Sequence, residues 1–328
     1  MQLVVRTEHF PLKEPFSISR GSRTETQVVT AIIRDGHVQG WGEAVPYPHY
    51  GETIEKVLDA IEQARTVVEA GDQDALQHVL PPGSARNVLD CALWDFYAKK
   101  TNNPAWKRAG LDAPPKPVLT AYTISLDRAE KMADQAARHR DRPLQKIKLG
   151  GPDDAQCLQA VRAAAPDSRL IVDANEGWDH DRLEPMLELC SNLDVEIVEQ
   201  PLPAGKDEIL TQHPPGRRKL LLCADESFHV ADDVHHLSDR YDAVNIKLDK
   251  TGGLTEALLT ISEAKRVGMQ IMLGSMVCSS LGVAPAFLLA SSAHWVDLDG
   301  PLLLAQDRKE HIKSQGSILI APEPELWG

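Results

Sequence analysis

Six charged residues in this 328-residue chain recur at nearly one interval. Asp173, Glu199 and Asp225 stand 26 residues apart, and Lys247 follows 22 later. Lys146 and Lys148 precede Asp173 by 27 and 25. Each belongs to a short apolar run, as in Lys146-Ile147-Lys148-Leu149, Leu170-Ile171-Val172-Asp173 and Glu196-Ile197-Val198-Glu199. A lone charge where a strand ends is ordinarily a solvated loop residue, but six in phase predict one shared pocket. Three carboxylates gathered there cannot all stay ionised unless a cation neutralises them. Oxygen ligands without a His or Cys cluster suit a hard ion such as Mg²⁺. A structural Ca²⁺ would draw its ligands from one local loop, whereas these come from three strands.

The lysines complete the chemistry. Lys146 and Lys148, two apart on a strand, point to the same face. Adjacent ammonium groups and a divalent cation depress a lysine's pKa, so one of the pair can act as a base near neutral pH. Lys247 lies four strands further on, halfway around a closed barrel, and would face that pair. Two bases opposed across a cation suit a 1,1-proton transfer. One removes the proton beside a carboxylate, the cation stabilises the enediolate, and the other returns a proton to the opposite face.

The elements that must position these residues can be read from the apolar pattern. Residues 1–45 read as antiparallel strands: Leu3-Val4-Val5, Gln27 to Arg34 and Val38 to Ala44, the last two joined at Asp35-Gly36, a tight-turn signal. Thr53 can cap a helix carrying Ile54, Val57, Leu58, Ile61 and Ala64, and a second helix starts near Ser84. The proline-rich join Ala113-Pro114-Pro115-Lys116-Pro117 marks a boundary. From Val118-Leu119-Thr120-Ala121-Tyr122 onward, eight apolar runs alternate with helical stretches such as Ala129 to Arg140, Asp154 to Ala165 and Thr255 to Val267. Strand-then-helix units at this period predict a closed parallel (β/α)₈-type barrel. A doubly wound sheet would need a Gly-rich phosphate loop after its first strand, and Thr120 to Leu126 contains no glycine. The expected division is an α+β domain over residues 1–113, joined by part of the C-terminal tail, and a barrel over 114–328.

Composition narrows the partners. With 35 basic and 48 acidic residues the net charge is −13, which disfavours nucleic acid and anionic membranes. The short basic runs, Arg217-Arg218-Lys219 and Arg138 to Arg142, do not make a patch. No apolar stretch approaches the roughly 18 residues of a membrane helix; the longest, Ala284 to Ala290, reads as a buried helix. Five scattered cysteines without a C-x-x-C pair, and an N-terminus unlike a signal peptide, point to the cytoplasm.

The ordered motif set resembles the enolase superfamily, in its muconate-lactonizing-enzyme-like subgroup, and within that the dipeptide epimerases. The resemblance rests on Arg20-Gly21-Ser22-Arg23-Thr24-Glu25, Gly40-Trp41-Gly42-Glu43, Lys146-Ile147-Lys148, Asp173-Ala174-Asn175, Glu199-Gln200-Pro201 and Ala224-Asp225-Glu226-Ser227. It continues through Asn245-Ile246-Lys247-Leu248-Asp249-Lys250-Thr251-Gly252-Gly253 and Asp297-Leu298-Asp299-Gly300. It implies that the α+β domain is a capping domain over a (β/α)₇β barrel, with Asp173, Glu199 and Asp225 binding one Mg²⁺ and Lys148 and Lys247 as acid/base residues. Lys146 would contact the substrate carboxylate and tune Lys148. Glu226 and Asn175 would support this set from behind, Glu226 by a hydrogen bond near a lysine, and Lys250 would fall in the following loop.

The resemblance also implies a dipeptide substrate, L-Ala-D-Glu or L-Ala-L-Glu, drawn from cell-wall peptides. Asp297 and Asp299, sharing a strand face, would bind its ammonium group. Arg20 or Arg23 would meet the glutamate side chain, and spacing does not separate the two. Gly274-Ser275-Met276 would line the floor through Ser275, and Phe16 to Glu25 and Tyr47 to Glu52 would be mobile lids. A homo-oligomer is compatible with the sequence. The alternatives on this fold are o-succinylbenzoate synthase, muconate cycloisomerase and N-acyl amino acid racemase, none of which has use for Asp297 with Asp299. A non-catalytic binding barrel would not need two opposed lysines.

Overall fold

A computed structural model describes all 328 residues. The N-terminal sheet has three antiparallel strands, Gln2–Ile18, Gly21–Asp35 and Val38–Ala44, in sequence order. The first runs far beyond Leu3-Val4-Val5. Its prolines hide it in the sequence but suit an edge strand, and pairing breaks between Pro11 and Phe16 before resuming. Two helices cover one face of the sheet. Ile54–Ala70 is capped by Thr53, whose hydroxyl accepts from Lys56 N–H, and ends at Gly71 in the left-handed region. Ser84–Thr101 packs so closely on the third strand that a Cβ at Gly42 would lie 2.1 Å from the Val88 carbonyl oxygen. Gly40 and Gly42 are therefore contact residues, which only glycine can be here.

The second unit is the expected barrel. Eight parallel strands follow in sequence order: Tyr122–Ile124, Leu144–Lys148, Arg169–Asp173, Val195–Glu199, Leu221–Ala224, Ala243–Ile246, Gln270–Gly274 and Trp295–Asp297. Ala121 N–H donates to the Val296 carbonyl at 2.8 Å, bringing the last strand back to the first. The apolar run at 118–122 spans two elements: Val118–Leu119 leaves the barrel to pair with Ile318–Leu319. Helices Ala129–Arg138, Asp154–Ala164, His180–Asn192 and Leu254–Val267 pack outside. Ala284–Leu288, expected as a helix, is a buried 3₁₀ turn, and no helix is long and apolar enough to cross a membrane.

One layer of the interior decides where the chemistry lies. Ala121, just before the first strand, and Leu144, Ile171, Ile197, Cys223, Ala243, Met272 and Trp295, one from each of the other seven, form an apolar plug. Side chains alternate along a strand, so the next inward positions above this plug are Thr123, Lys146, Asp173, Glu199, Asp225, Asn245, Gly274 and Asp297. The charged rim is thus the layer directly above a water-excluding floor. Arg308 ties the cap to the barrel by donating to Glu8 (2.9 Å) and to Glu43 (2.6 Å), whose other oxygen accepts Ser279 N–H.

Candidate active site

Lys146, Lys148, Asp173, Glu199, Asp225, Lys247, Asp297 and Asp299 are all buried at the C-terminal ends of the barrel strands. Lys148 Nζ donates to Asp173 Oδ2 at 2.6 Å, and on the far side Lys247 Nζ donates to Asp225 Oδ2 at 2.6 Å. Lys146 stands between them, 2.7 Å from Glu199 Oε2, 2.7 Å from Asp297 Oδ2 and 3.2 Å from Asp173 Oδ2. Its approach to Glu199 is off axis, so Oε2 is left without a hydrogen-bond donor while Oε1 accepts from Asn245 Nδ2 at 2.8 Å. Asn245 opens one of the motifs but is given no role there, although it stands two residues before Lys247 and shares its inward face. Gly274 makes room for it, since a Cβ there would lie 2.5 Å from Asn245 Oδ1.

Charge balance explains these pairs. Burial disfavours the Lys146 ammonium, but Asp297, Glu199 and Asp173 outweigh it and raise its pKa well above the ordinary lysine value. Mutual depression of the K-x-K pair is therefore not what governs Lys146 here. Burial acts on Lys247 in the same sense, and Asp225 and Glu199 likewise overcome it to raise its pKa. Among the acids, burial and the neighbouring Asp173 push Glu199 up to about 7. Burial opposes ionisation of Asp173, yet Lys148 and Lys146 hold it below the usual carboxylate range.

Asp173, Glu199 and Asp225 each turn an oxygen toward a lysine instead of closing into a three-ligand cage. The donor set nonetheless fits a hard divalent ion: three carboxylates from adjacent strands, all oxygen, with Glu199 Oε2 held by the Lys146 ammonium alone and accepting no well-directed hydrogen bond. The loops behind these strands are strained to hold them. Asn175, Glu176 and Gln200 all have positive φ, which costs about 1 kcal/mol or more for each non-glycine residue. Asn175 N–H donates to Asp173 Oδ1 at 3.0 Å, and Gln200 Oε1 accepts from Asp225 N–H at 2.8 Å.

Two expectations change. Glu226 meets Arg20 (2.6 Å), not a lysine. Lys250 is not a loop residue: it is fully buried in the turn Leu248–Thr251, with its ammonium on Asp225. The segment Phe16 to Glu25 is the ladder-paired tip of a hairpin, Phe16 opposite Arg23 and Ile18 opposite Gly21, and Pro48–Tyr50 is a 3₁₀ turn.

This hairpin separates the two arginines that spacing left equivalent. Arg20 donates to Glu226, Glu176, the Asn175 carbonyl and the Tyr47 hydroxyl. Arg23 makes no ion pair and stacks near Phe16 (5.5 Å); both arginines line the small cavity that Lys148, Lys247 and Ser275 also line. That cavity holds only about 40 Å³, and a groove of about 430 Å³ beside the hairpin tip and Pro48–His49 adjoins it. Asp299 precedes the turn Gly300–Leu303 but makes no cap bond; its Oδ2 accepts from Thr123 N–H at 2.6 Å. Burial and Asp297 beside it push its carboxyl up to about 7.

Residues 1–110 match the mandelate racemase/muconate lactonizing enzyme N-terminal domain, and residues 131–312 match the enolase C-terminal domain-like family. The chain belongs to the enolase superfamily. Among superfamily relatives it is 42% identical to an N-acetyl-D-glutamate racemase of Pseudoalteromonas over 92% of this chain and 95% of that one. It is 41% identical to the L-Ala-D/L-Glu epimerase of Escherichia coli, covering 92% and 93% of the two chains. An Agrobacterium tumefaciens enolase-family structure with homology to dipeptide epimerases, holding sodium and L-Ala-L-Glu, superposes with a TM-score of 0.96 at 51% identity, covering 99% of each chain. A Methylococcus capsulatus dipeptide epimerase complexed with Mg and L-Arg-D-Lys superposes at 0.89 with 29% identity, covering 99% and 98%.

Proposed function

We propose that the chain is a Mg²⁺-dependent dipeptide epimerase acting on the α-carbon of the C-terminal residue, with L-Ala-L-Glu and L-Ala-D-Glu as its preferred pair. The observation that carries this reading is the placement of Lys148 and Lys247 on separate carboxylates of one buried rim. In this reading one lysine takes the α-proton and the other returns a proton to the opposite face. Asp173, Glu199 and Asp225 hold the ion, which supplies positive charge against which the substrate carboxylate can gain a second negative charge. Lys146 adds to that charge, Ser275 lines the floor, and Asn175 and Glu226 hold Asp173 and Arg20 in place. Asp297 and Asp299 receive the ammonium group. Arg23, a guanidinium without an anion, meets the glutamate side chain; Arg20 is committed to the loops.

The same reading takes residues 1–113 as the cap and 114–328 as the catalytic barrel. It sets the enzyme in the cytoplasm, where five buried, unpaired cysteines are at home, working on peptides of murein metabolism. A second reading, racemisation of an N-acylglutamate, is favoured by the Pseudoalteromonas relative and by the pairing of Asp297 with Lys146, which offsets part of the charge that would draw an ammonium.

The test is incubation with a dipeptide panel and with N-acetylglutamate in D₂O with Mg²⁺, followed by proton NMR. Deuterium should enter the α-carbon of the C-terminal residue, most rapidly in the two Ala-Glu isomers. No exchange into any dipeptide would defeat the epimerase reading, and exchange into N-acetylglutamate alone would establish the second.

A further inference from the structure

Lys250 is the rim lysine that proton transfer leaves unused. Its Nζ donates to Asp225 Oδ1 at 2.6 Å and to the Asp225 carbonyl at 2.5 Å, and Nζ lies 5.1 Å from the centre of the Phe228 ring. The side chain has no solvent exposure, and a buried ammonium is tolerated only when paired in this way. The turn Leu248–Thr251 begins at Lys247 and ends at Gly252, whose φ of 78° closes it. Three residues apart on one turn, Lys247 and Lys250 reach the same carboxylate. Lys250 takes Oδ1, and Lys247 takes Oδ2.

Asp173 on the other side has the same division with a different holder. Its Oδ1 accepts the Asn175 backbone N–H, and its Oδ2 faces Lys148. A neutral amide does for Asp173 what a full positive charge does for Asp225. An added charge so close to a dication site opposes metal binding, so Lys250 serves the site in some way other than strengthening its hold on the metal.

We propose that Lys250 is a positioning residue that fixes Asp225 so that only Oδ2 faces the mouth, open to one cation at a time, either a metal ion or the Lys247 ammonium. The proposal rests on the reading of Asp225 as a metal ligand and of Lys247 as a base. By denying Asp225 a second free oxygen, Lys250 weakens the site for metal but keeps metal occupancy linked to release of Lys247 from its carboxylate.

The test uses the full-length chain with Lys250→Met and Lys250→Gln, the second keeping a hydrogen-bond donor without the charge. Mg²⁺ binding to metal-stripped protein is measured by calorimetry, and α-proton exchange in D₂O is followed separately from each Ala-Glu isomer. Both variants should bind Mg²⁺ more tightly, by about threefold or more given the charge removed. In Lys250→Met, exchange from the isomer whose proton Lys247 takes should fall by about 50-fold or more, against less than about fivefold for the isomer served by Lys148. Lys250→Gln should recover part of that loss. Weaker Mg²⁺ binding in both variants, or an equal loss from both isomers, would overturn the proposal and leave Lys250 a structural residue. If Lys250→Met does not fold, Lys250→Gln carries the same comparison. Wild-type exchange tests the epimerase reading separately.

Discussion

The barrel rim and the cap hairpin meet across one small cavity but are built on different terms. The rim residues stand one or two steps above an apolar plug at the strand ends, and the three lysines there are each paired with a carboxylate. The hairpin tip reaches the cavity from a different sheet and brings one arginine tied to four partners and one tied to none. The difference separates two tasks. In the proposed function, the lysines and metal carboxylates of the rim would carry a reaction that is the same for any substrate with an α-proton beside a carboxylate, whereas the hairpin would distinguish one side chain from another.

The comparison breaks if rim changes are selective or hairpin changes are general. Lys148→Ala and Lys247→Ala should each lower the epimerisation rate about 10³–10⁴-fold for every dipeptide tested, the scale of a lost general acid or base, as read by polarimetry or NMR. Stripping Mg²⁺ with a chelator should also abolish turnover on all substrates, with recovery on adding Mg²⁺ back, because stabilisation of the developing charge is worth several kcal/mol. Arg23→Met should lower kcat/KM for Ala-Glu roughly 10- to 150-fold, the loss of a charged hydrogen bond of about 1.5–3 kcal/mol. It should leave a dipeptide ending in alanine nearly unchanged. Equal losses on both would remove the specificity role of Arg23.

The smallest effect lies at the seam between the two regions. Asp249, just past Lys247, accepts from Val45 N–H in the cap and from Asn87, and burial pushes its carboxyl up to about 7 from 3.8. A folded pKa raised above the unfolded one means that the folded chain binds this proton more tightly. The stabilisation is therefore complete below about pH 4 and is lost as pH rises through about 7. Asp249→Asn should flatten the pH dependence of the melting temperature between those limits and raise it above pH 7, the stability gained there being a few kcal/mol at most. Thermal melts of metal-stripped protein would show this.

The rim was legible in sequence because barrel period and strand alternation are both regular, so Asp173, Glu199, Asp225 and Lys247 could be brought together without coordinates. Lys250 was not legible: Lys-Leu-Asp-Lys-Thr-Gly-Gly reads as a loop, and only the tight turn after Lys247 folds the second lysine back onto Asp225. Asn245 could have been found by applying the K-x-K argument to Asn245-Ile246-Lys247. The choice between Arg20 and Arg23 depends on contacts with Glu226 and Glu176, more than 150 residues away in sequence. The extent of the first strand was masked by Pro11 and Pro15, which speak against a strand unless it lies at an edge. The first barrel strand was displaced because one apolar run serves both the barrel and the small sheet with Ile318–Leu319.

The central claim is that Lys148 and Lys247 serve opposite faces of one carbon. Its most direct test is to place L-Ala-L-Glu and L-Ala-D-Glu separately in D₂O with each lysine-to-alanine variant and follow the α-proton. Each variant should exchange one isomer without inverting it, and the two variants should choose opposite isomers. Exchange of the same isomer by both, or full epimerisation by either, would contradict the account.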